Sequence, residues 1–399
     1  MIFKIRLLVI LSFSLEIYSK KVFIRKNSDI SIKEKLKVVK LQKILEENKE
    51  ISLIKVLDSF YFKGSDFSIS SKFPKEGYFD DLFVLSIPQG KVFSRRGHVF
   101  IGEKIVEEFV WDQRYDLLQQ DLKNKEKCFC RKIQGKVAVI SQFGYNNYFH
   151  FLNEMLGRLA LLEMSNVKYD WLYISDEMPY APQLLELWGI DSSKIISIKY
   201  DTLCIEAEEL IVPSLVSNTT AGHNHAGSFI HPIIMEYVKD KLLQAAFKKN
   251  IDTSRFSKKI FISRKDAYAS RRILNEDEIF EWFKEKDFAQ YELSKMSIVE
   301  QIMLFAQAEV IVSEQGSGLT NILFCKPGAK IYEIFQAMVD NCFWWQSHVN
   351  KLQYFPFLTI PVDVDYFANC KMNIMNYQKA WQSQINIPID SVISILNDL

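Results

Sequence analysis

His150, Glu154 and Arg158 follow one another at intervals of four residues. On a helix that spacing lines them up as one polar stripe. Phe151, Leu152, Met155, Leu156, Leu159 and Leu162 make the apolar face beside it. A stripe of imidazole, carboxylate and guanidinium on a helix that starts near Asn147, just after a strand, suits an acceptor site. His150 or Glu154 would take a proton from an attacking hydroxyl there. His150 is the preferred base, because imidazole changes charge near neutral pH. The same residues also read as an ordinary Glu154–Arg158 ion pair beside a satisfied histidine, and the stripe alone leaves both readings open.

Two further groups have the chemistry to hold phosphate. The run Glu314-Gln315-Gly316-Ser317-Gly318-Leu319-Thr320-Asn321 stands between a buried strand and a helix. There the first backbone N–H groups and the helix dipole favour an anion, and glycine lets it approach closely. The run is neither a dinucleotide fingerprint nor a Walker loop, and a plain tight turn explains it equally well. Ser263-Arg264, followed by Arg271-Arg272, puts guanidinium groups at a strand end, where ligands bind in open α/β sheets. Arginine grips phosphate bidentately and keeps its charge. Asp363-Val364-Asp365 resembles a divalent-cation site but lies far downstream in a proline-flanked segment, so no metal is expected. His223, His225 and His231 lack a carboxylate or thiolate at ligand spacing and are read as cleft-lining or solvated, with His225 assigned to the cleft.

Strand and helix patterns alternate through these groups. Strands are expected at Lys136–Ser141, Trp171–Ser175, Lys194–Ile198, Glu209–Val212, Lys259–Ser263, Ala289–Leu293, Glu309–Ser313 and Lys330–Phe335. Helices are expected from Asn147 to Met164, near Pro182–Trp188, over Pro232–Lys248 and over Leu319–Phe324. Asn275 with Glu278 and Ser297 with Glu300 form two capping-box patterns. This is α/β text, with parallel sheets and helices on their faces; its second half has the βαβαβ order of a nucleotide-binding unit. Phe83–Val110 reads as hairpins turning at Pro88-Gln89-Gly90 and Arg95-Arg96-Gly97, and Lys33–Lys55 has helical character. The divisions expected are a lead-in over 1–70, a first Rossmann-like domain over 71–231 and a second over 232–399.

Bulk properties fit this plan. At 399 residues the chain exceeds one small core. With 48% hydrophobic and 25% charged residues it is a folded protein rather than a disordered one. A net charge of +1 gives no attraction to a nucleic-acid polymer. The cysteines Cys128, Cys130, Cys204, Cys325, Cys342 and Cys370 contain no C-x-x-C pair, and Cys128 and Cys130 are too close for a disulfide with each other. They read as reduced thiols. Lys4 and Arg6 precede an apolar run from Leu7 to Leu15, too short to span a bilayer. It fits a signal or anchor ending near Ser19, a first buried strand, or a segment that touches a membrane surface peripherally. The compartment stays open with it: the cytoplasmic face of a membrane in a bacterium, or a secretory lumen in a eukaryote.

Four segments, in order, resemble the family 61 glycosyltransferases. Asn147-Tyr148-Phe149-His150-Phe151-Leu152-Asn153-Glu154-Met155-Leu156-Gly157-Arg158-Leu159 is similar to the family's N-Y-x-H-W/F-x-x-E-x-L-P-R-L. Ile262-Ser263-Arg264 with Arg271-Arg272-Ile273-Leu274-Asn275-Glu276 resembles I-S-R…R-R-x-L-N-E. Glu314 to Asn321 with Pro327-Gly328 resembles H-G-A-G-L-T-N…P-G, and Glu333-Ile334-Phe335 resembles V-E-L-F. The resemblance covers roughly residues 80 to 350. It implies a GT-B fold, two facing Rossmann-like domains with the donor held mainly by the second. It also implies inverting, metal-independent transfer from a UDP-sugar, typically of a pentose or N-acetylglucosamine, to a hydroxyl of a glycan or glycoprotein, with no cofactor beyond the donor. The chain departs from the pattern at Gln315, which stands where the family has histidine, and at Ser317 and Gly157. On this basis Ser263, Arg264, Arg271, Arg272, Glu314, Gln315, Gly316, Ser317, Gly318, Leu319 and Asn321 are expected around the donor, with Glu333 on its ribose. Asn147, Arg158 and His225 are expected around the acceptor. Rival readings are a degenerate nucleotide- or glycan-binding module, favoured by Gln315, and a nicotinamide-dependent dehydrogenase, disfavoured by the missing fingerprint.

Overall fold

The computed structural model describes residues 36–63, 76–111, 114–125, 130–199, 203–218, 229–266, 272–335, 341–358, 386–389 and 392. The N-terminal apolar run, Cys128, His223, His225, Arg271, Asp363, Asp365 and Cys370 lie outside the described residues.

The first half forms strands β1 (Val38–Val39), β2 (Ser52–Leu57), β3 (Phe60–Lys63), β4 (Glu76–Phe79), β5 (Leu82–Pro88), β6 (Lys91–Phe93), β7 (His98–Ile101), β8 (Lys104–Val106), β9 (Cys130–Val139), β10 (Trp171–Ile174), β11 (Ile195–Ser197) and β12 (Cys204–Pro213). After the short pair β13 (Ser217–Asn218) and β14 (Phe229–Ile230), the second half supplies β15 (Lys259–Ile262), β16 (Ala289–Tyr291), β17 (Val310–Glu314), β18 (Lys330–Phe335) and β19 (Gln353–Leu358).

The second sheet is wholly parallel, in the order β16-β15-β17-β18-β19. Its central strands are runs such as Lys-Ile-Phe-Ile and Val-Ile-Val-Ser, β-branched and aromatic as a sheet buried on both faces requires. The first strand in sequence has neighbours on both sides, so the chain winds away from β15 and β17 in opposite directions. That order makes a topological switch point, and the crevice lies above the C-terminal ends of those two strands.

The first sheet is mixed. β12, β9, β10 and β11 are parallel neighbours, which puts a second switch point between β9 and β12. Beyond β12 the strands are antiparallel: β6 pairs with its first half and β5 with its second. The Pro88–Gly90 turn therefore passes the chain along β12 instead of folding a hairpin, whereas the Arg95–Gly97 turn does join an antiparallel pair, β6 and β7. The expected helix over Lys33–Lys55 shrinks to Leu41–Glu47. Ser52–Leu57 is instead a strand against β5, so sheet pairing overrides the helical composition there.

One continuous apolar cluster runs from Ala138, Leu172 and Ile211 of the first sheet to Ile260, Ile311 and Ile331 of the second. The helix Pro232–Lys248 packs on both Leu156–Ser165 and Ile298–Gln307 within it. Each buried Leu, Ile or Phe there is worth about 1.5–3 kcal/mol. Ser297 and Glu300 make the expected capping box. Asn275 does not cap: its amide is engaged both ways with the backbone of Ile387.

The cysteine reading is corrected. Cys130 and Cys204 stand opposite each other at the starts of β9 and β12 and are joined by a disulfide. No spacing pattern hints at it, because the partners are 74 residues apart. Cys325 and Cys342 are free and buried. No helix among the described residues is long and apolar enough to cross a membrane.

Candidate active site

Above the switch point between β9 and β12 the chain leaves β9 through Ser141, Gln142, Phe143 and Gly144 and enters helix at Tyr148. Asn147 is exposed and caps that start, its side chain accepting from the Phe149 N–H. The helix is not a simple α-helix. Tyr148–His150 runs into a π-turn at Phe151–Met155, and α-helix resumes at Leu156–Ser165. A π-turn holds one more residue than an α-turn and is frequent at functional sites. It rotates the later turns of the helix and breaks the single stripe read from the sequence.

The consequence is a division of labour between the three residues. Glu154 has no exposed surface. Its Oε2 lies 2.7 Å from His150 Nδ1 and accepts from Gln142 Nε2 at 2.7 Å; its Oε1 accepts from Trp111 Nε1 at 3.2 Å. The His150 ring is partly exposed, with a fifth of its side-chain surface open. It stands at the edge of Trp111, which is stacked on Phe143. A Cβ on Gly144, where φ is +80°, would sit 2.5 Å from His150 Cδ2, so glycine is what lets the ring lie there.

Arg158 departs from expectation. It makes no ion pair with Glu154 but lies between the ends of β9 and β12. Its Nε and Nη2 donate to the Pro213 carbonyl at 3.1 and 2.8 Å, and its Nη1 donates to the Ser141 carbonyl at 2.9 Å. Burial pulls its pKa down to about 9, against the field of Glu154. A guanidinium so enclosed pins two strand ends together.

The crevice between β15 and β17 brings Arg264 and the glycine loop together. Arg264, just past β15, lies with Nε 3.8 Å from Glu314 Oε2 at the end of β17. Its guanidinium covers Gly316 so closely that a Cβ there would fall 1.7 Å from Nη1. Burial lowers the Arg264 pKa, opposed first by the field of Glu314. Ser263 donates to Glu276 at 2.5 Å, and Glu276 also accepts from the Arg264 N–H and from Gln290. Burial raises the Glu276 pKa, partly offset by Ser263. Gln315 is buried and its N–H donates to the Ile334 carbonyl. Ser317, Gly318 and Arg272 are half-buried. The segment Ser317–Phe324 is 3-10 rather than α-helix.

Three donor candidates sit in the interior. Leu319 is core. Asn321 is fully enclosed, donating to Gln301 at 3.0 Å and to the Gly318 carbonyl at 3.2 Å, and accepting from the Tyr148 hydroxyl at 2.8 Å. Glu333 is buried on β18 and its Oε2 accepts from Tyr354 at 2.5 Å.

The Tyr148–Asn321 bond also brings the two crevices together. Tyr148 is two residues before His150, and Asn321 three after Gly318. Beside it Asn153 Nδ2 approaches Gln346 Oε1 at 3.5 Å, and Gln346 donates to the Thr320 carbonyl at 2.6 Å. The helix carrying the His150–Glu154 dyad is thus seated directly on the segment that begins at the glycine loop. Sequence reading missed Trp111, Gln142, Tyr148, Glu276 and Gln346. Tyr148 and Glu276 stood inside the quoted motifs; Trp111, 43 residues from Glu154, left no pattern to find.

A scan against protein-family models matches residues 148–332 to Glycosyltransferase 61. A search of curated proteins finds no match. The matched span opens at Tyr148, two residues before His150, and takes in Arg264, Glu276 and the whole glycine loop, the same parts that the structure brings into contact. Over residues 148–332 the chain is similar to the family 61 glycosyltransferases.

Proposed function

We propose that the protein is an inverting, metal-independent transferase of GT-B arrangement, moving a pentose or N-acetylhexosamine from a UDP-sugar to a hydroxyl of a glycan or glycoprotein. In this reading 71–231 is the acceptor domain and 232–399 the donor domain. The observation that carries it is the Tyr148–Asn321 contact, which joins a histidine–carboxylate dyad to an arginine-and-glycine crevice. The acceptor oxygen attacks the anomeric carbon from the face opposite the diphosphate. His150 Nε2 takes the hydroxyl proton as the new C–O bond forms. The donor's C–O bond breaks through an oxocarbenium-like transition state, and the electron pair leaves with the diphosphate. Arg264, Arg272 and the N–H groups of Gly316 to Gly318 stabilise that charge. Asn321 and Arg158 serve by holding the site in shape.

The test is melting temperature against UDP-, GDP- and CMP-sugars, with and without EDTA. A ligand that binds only the folded form must raise it. One UDP-sugar should give a rise that survives EDTA and is lost in Arg264→Ala. A rise abolished by EDTA, or equal for all three nucleotides, contradicts the reading. Gln315, standing where the family has histidine, favours one alternative, a binding module without turnover; donor binding with no transfer to any acceptor would select it.

A further inference from the structure

The dyad has supports outside the segment matched to the family. Glu154 is held by two residues that precede it, Trp111 in the turn after Glu107–Phe109 and Gln142 at the exit of β9. An indole N–H and an amide NH2 can only donate. Together with His150 Nδ1 they bring three nitrogens to the two oxygens of a carboxylate that water cannot reach. The Gln142 amide has its direction set by that contact: its own carbonyl oxygen is buried with no hydrogen-bond partner among the described residues, and turning it over would point oxygen at oxygen.

We propose that Trp111 and Gln142 are positioning residues that fix His150 as the Nδ1–H tautomer, so that the Nε2 lone pair is the one turned outward. The consequence for turnover rests on the function proposed above; the tautomer itself does not. With two donors feeding it, the buried carboxylate is an acceptor and the ring nitrogen facing it must carry the proton. Without them, a buried carboxylate is left short of partners. It then takes up one proton from solvent and donates it to Nδ1, and the ring's own proton sits on Nε2, where it blocks the lone pair a base needs. Trp111 also walls the ring at its edge, 5.5 Å between centroids, so Trp111→Phe removes the N–H while keeping the wall.

The experiment is nitrogen NMR of the full chain with labelled histidine. There are six histidines, and His150→Gln assigns the one in question. The native protein should show His150 protonated at Nδ1. In Trp111→Phe/Gln142→Met the Nε2–H form should take over, with turnover lower by on the order of a hundredfold or more, as expected for a wrong tautomer. Trp111→Phe alone should show the same change to a smaller extent, and it serves if the double variant fails to fold. A folded variant whose His150 stays protonated at Nδ1 overturns the proposal, and so does a native Nε2–H tautomer. A tautomer that flips while turnover persists upholds the positioning role and removes His150 as the base, which separates the two claims.

Discussion

Glycine and histidine at positions 144 and 150 make one functional unit. The positive φ of Gly144 turns the chain from β9 towards the helix, and the missing side chain leaves room for the imidazole. Gly144→Ala would strain the backbone by about 1–2 kcal/mol and push the ring off Glu154. A displacement on the scale of an ångström is worth about a hundredfold in rate. Gly189 is the control: its φ is +92° but a Cβ there meets nothing within 4 Å. Gly189→Ala should lower the melting temperature and leave turnover intact, whereas Gly144→Ala should lower both. Equal turnover in the two variants would mean that the His150 ring position does not matter. Arg158 gives the opposite lesson about single residues. Its spacing from Glu154 was legible, yet its place was decided by two carbonyl groups, of Ser141 and Pro213, on strand ends far apart in sequence.

At the level of elements, most of the second sheet could be read directly. Runs such as Lys-Ile-Phe-Ile are unambiguous when buried on both faces, and the Ser297–Glu300 cap is purely local. The first sheet resisted for a physical reason. β12 extends over ten residues, but its first part, Cys-Ile-Glu-Ala-Glu-Glu, alternates with charges. That alternation belongs to a strand whose outward face is solvated, and only Glu209–Val212 was apolar enough to declare itself. The π-turn was invisible because its residues also satisfy an α-helical period. The Cys130–Cys204 bond was invisible because pairing of β9 with β12 is what brings the sulfurs together. It closes a loop of 74 residues, for which the chain-entropy account gives about 4 kcal/mol. Cys130→Ala/Cys204→Ala should therefore lower stability by up to that amount, read as a drop in denaturation midpoint. Reductant should lower the melting temperature of the native chain and not of the double variant. A native chain indifferent to reductant, with both thiols open to alkylation when unfolded without it, would rule out the bond.

One apolar cluster is shared between the two halves, and the helix Pro232–Lys248 lies at their junction. His231 precedes that helix, buried between the rings of Phe60 and Phe79. Neither of its ring nitrogens has a hydrogen-bond partner among the described residues. Burial lowers its pKa from 6.5 to about 4, since a charged imidazole has nothing there to replace water. Above pH 6.5 the ring is neutral in the folded and unfolded chain alike and contributes no pH dependence. As pH falls through 6.5 the unfolded chain takes up a proton that the folded chain refuses until about pH 4. Stability is therefore lost across that window, by on the order of 3 kcal/mol when complete. His231→Phe keeps a ring among the aromatics and removes the proton site. Its urea midpoint should fall less than the native one between pH 6.5 and 4, while the two curves run parallel above pH 7. Because the junction is shared, one cooperative transition should report the effect from both halves. Parallel curves over the acid window as well would show that His231 is not what makes the junction sensitive to acid.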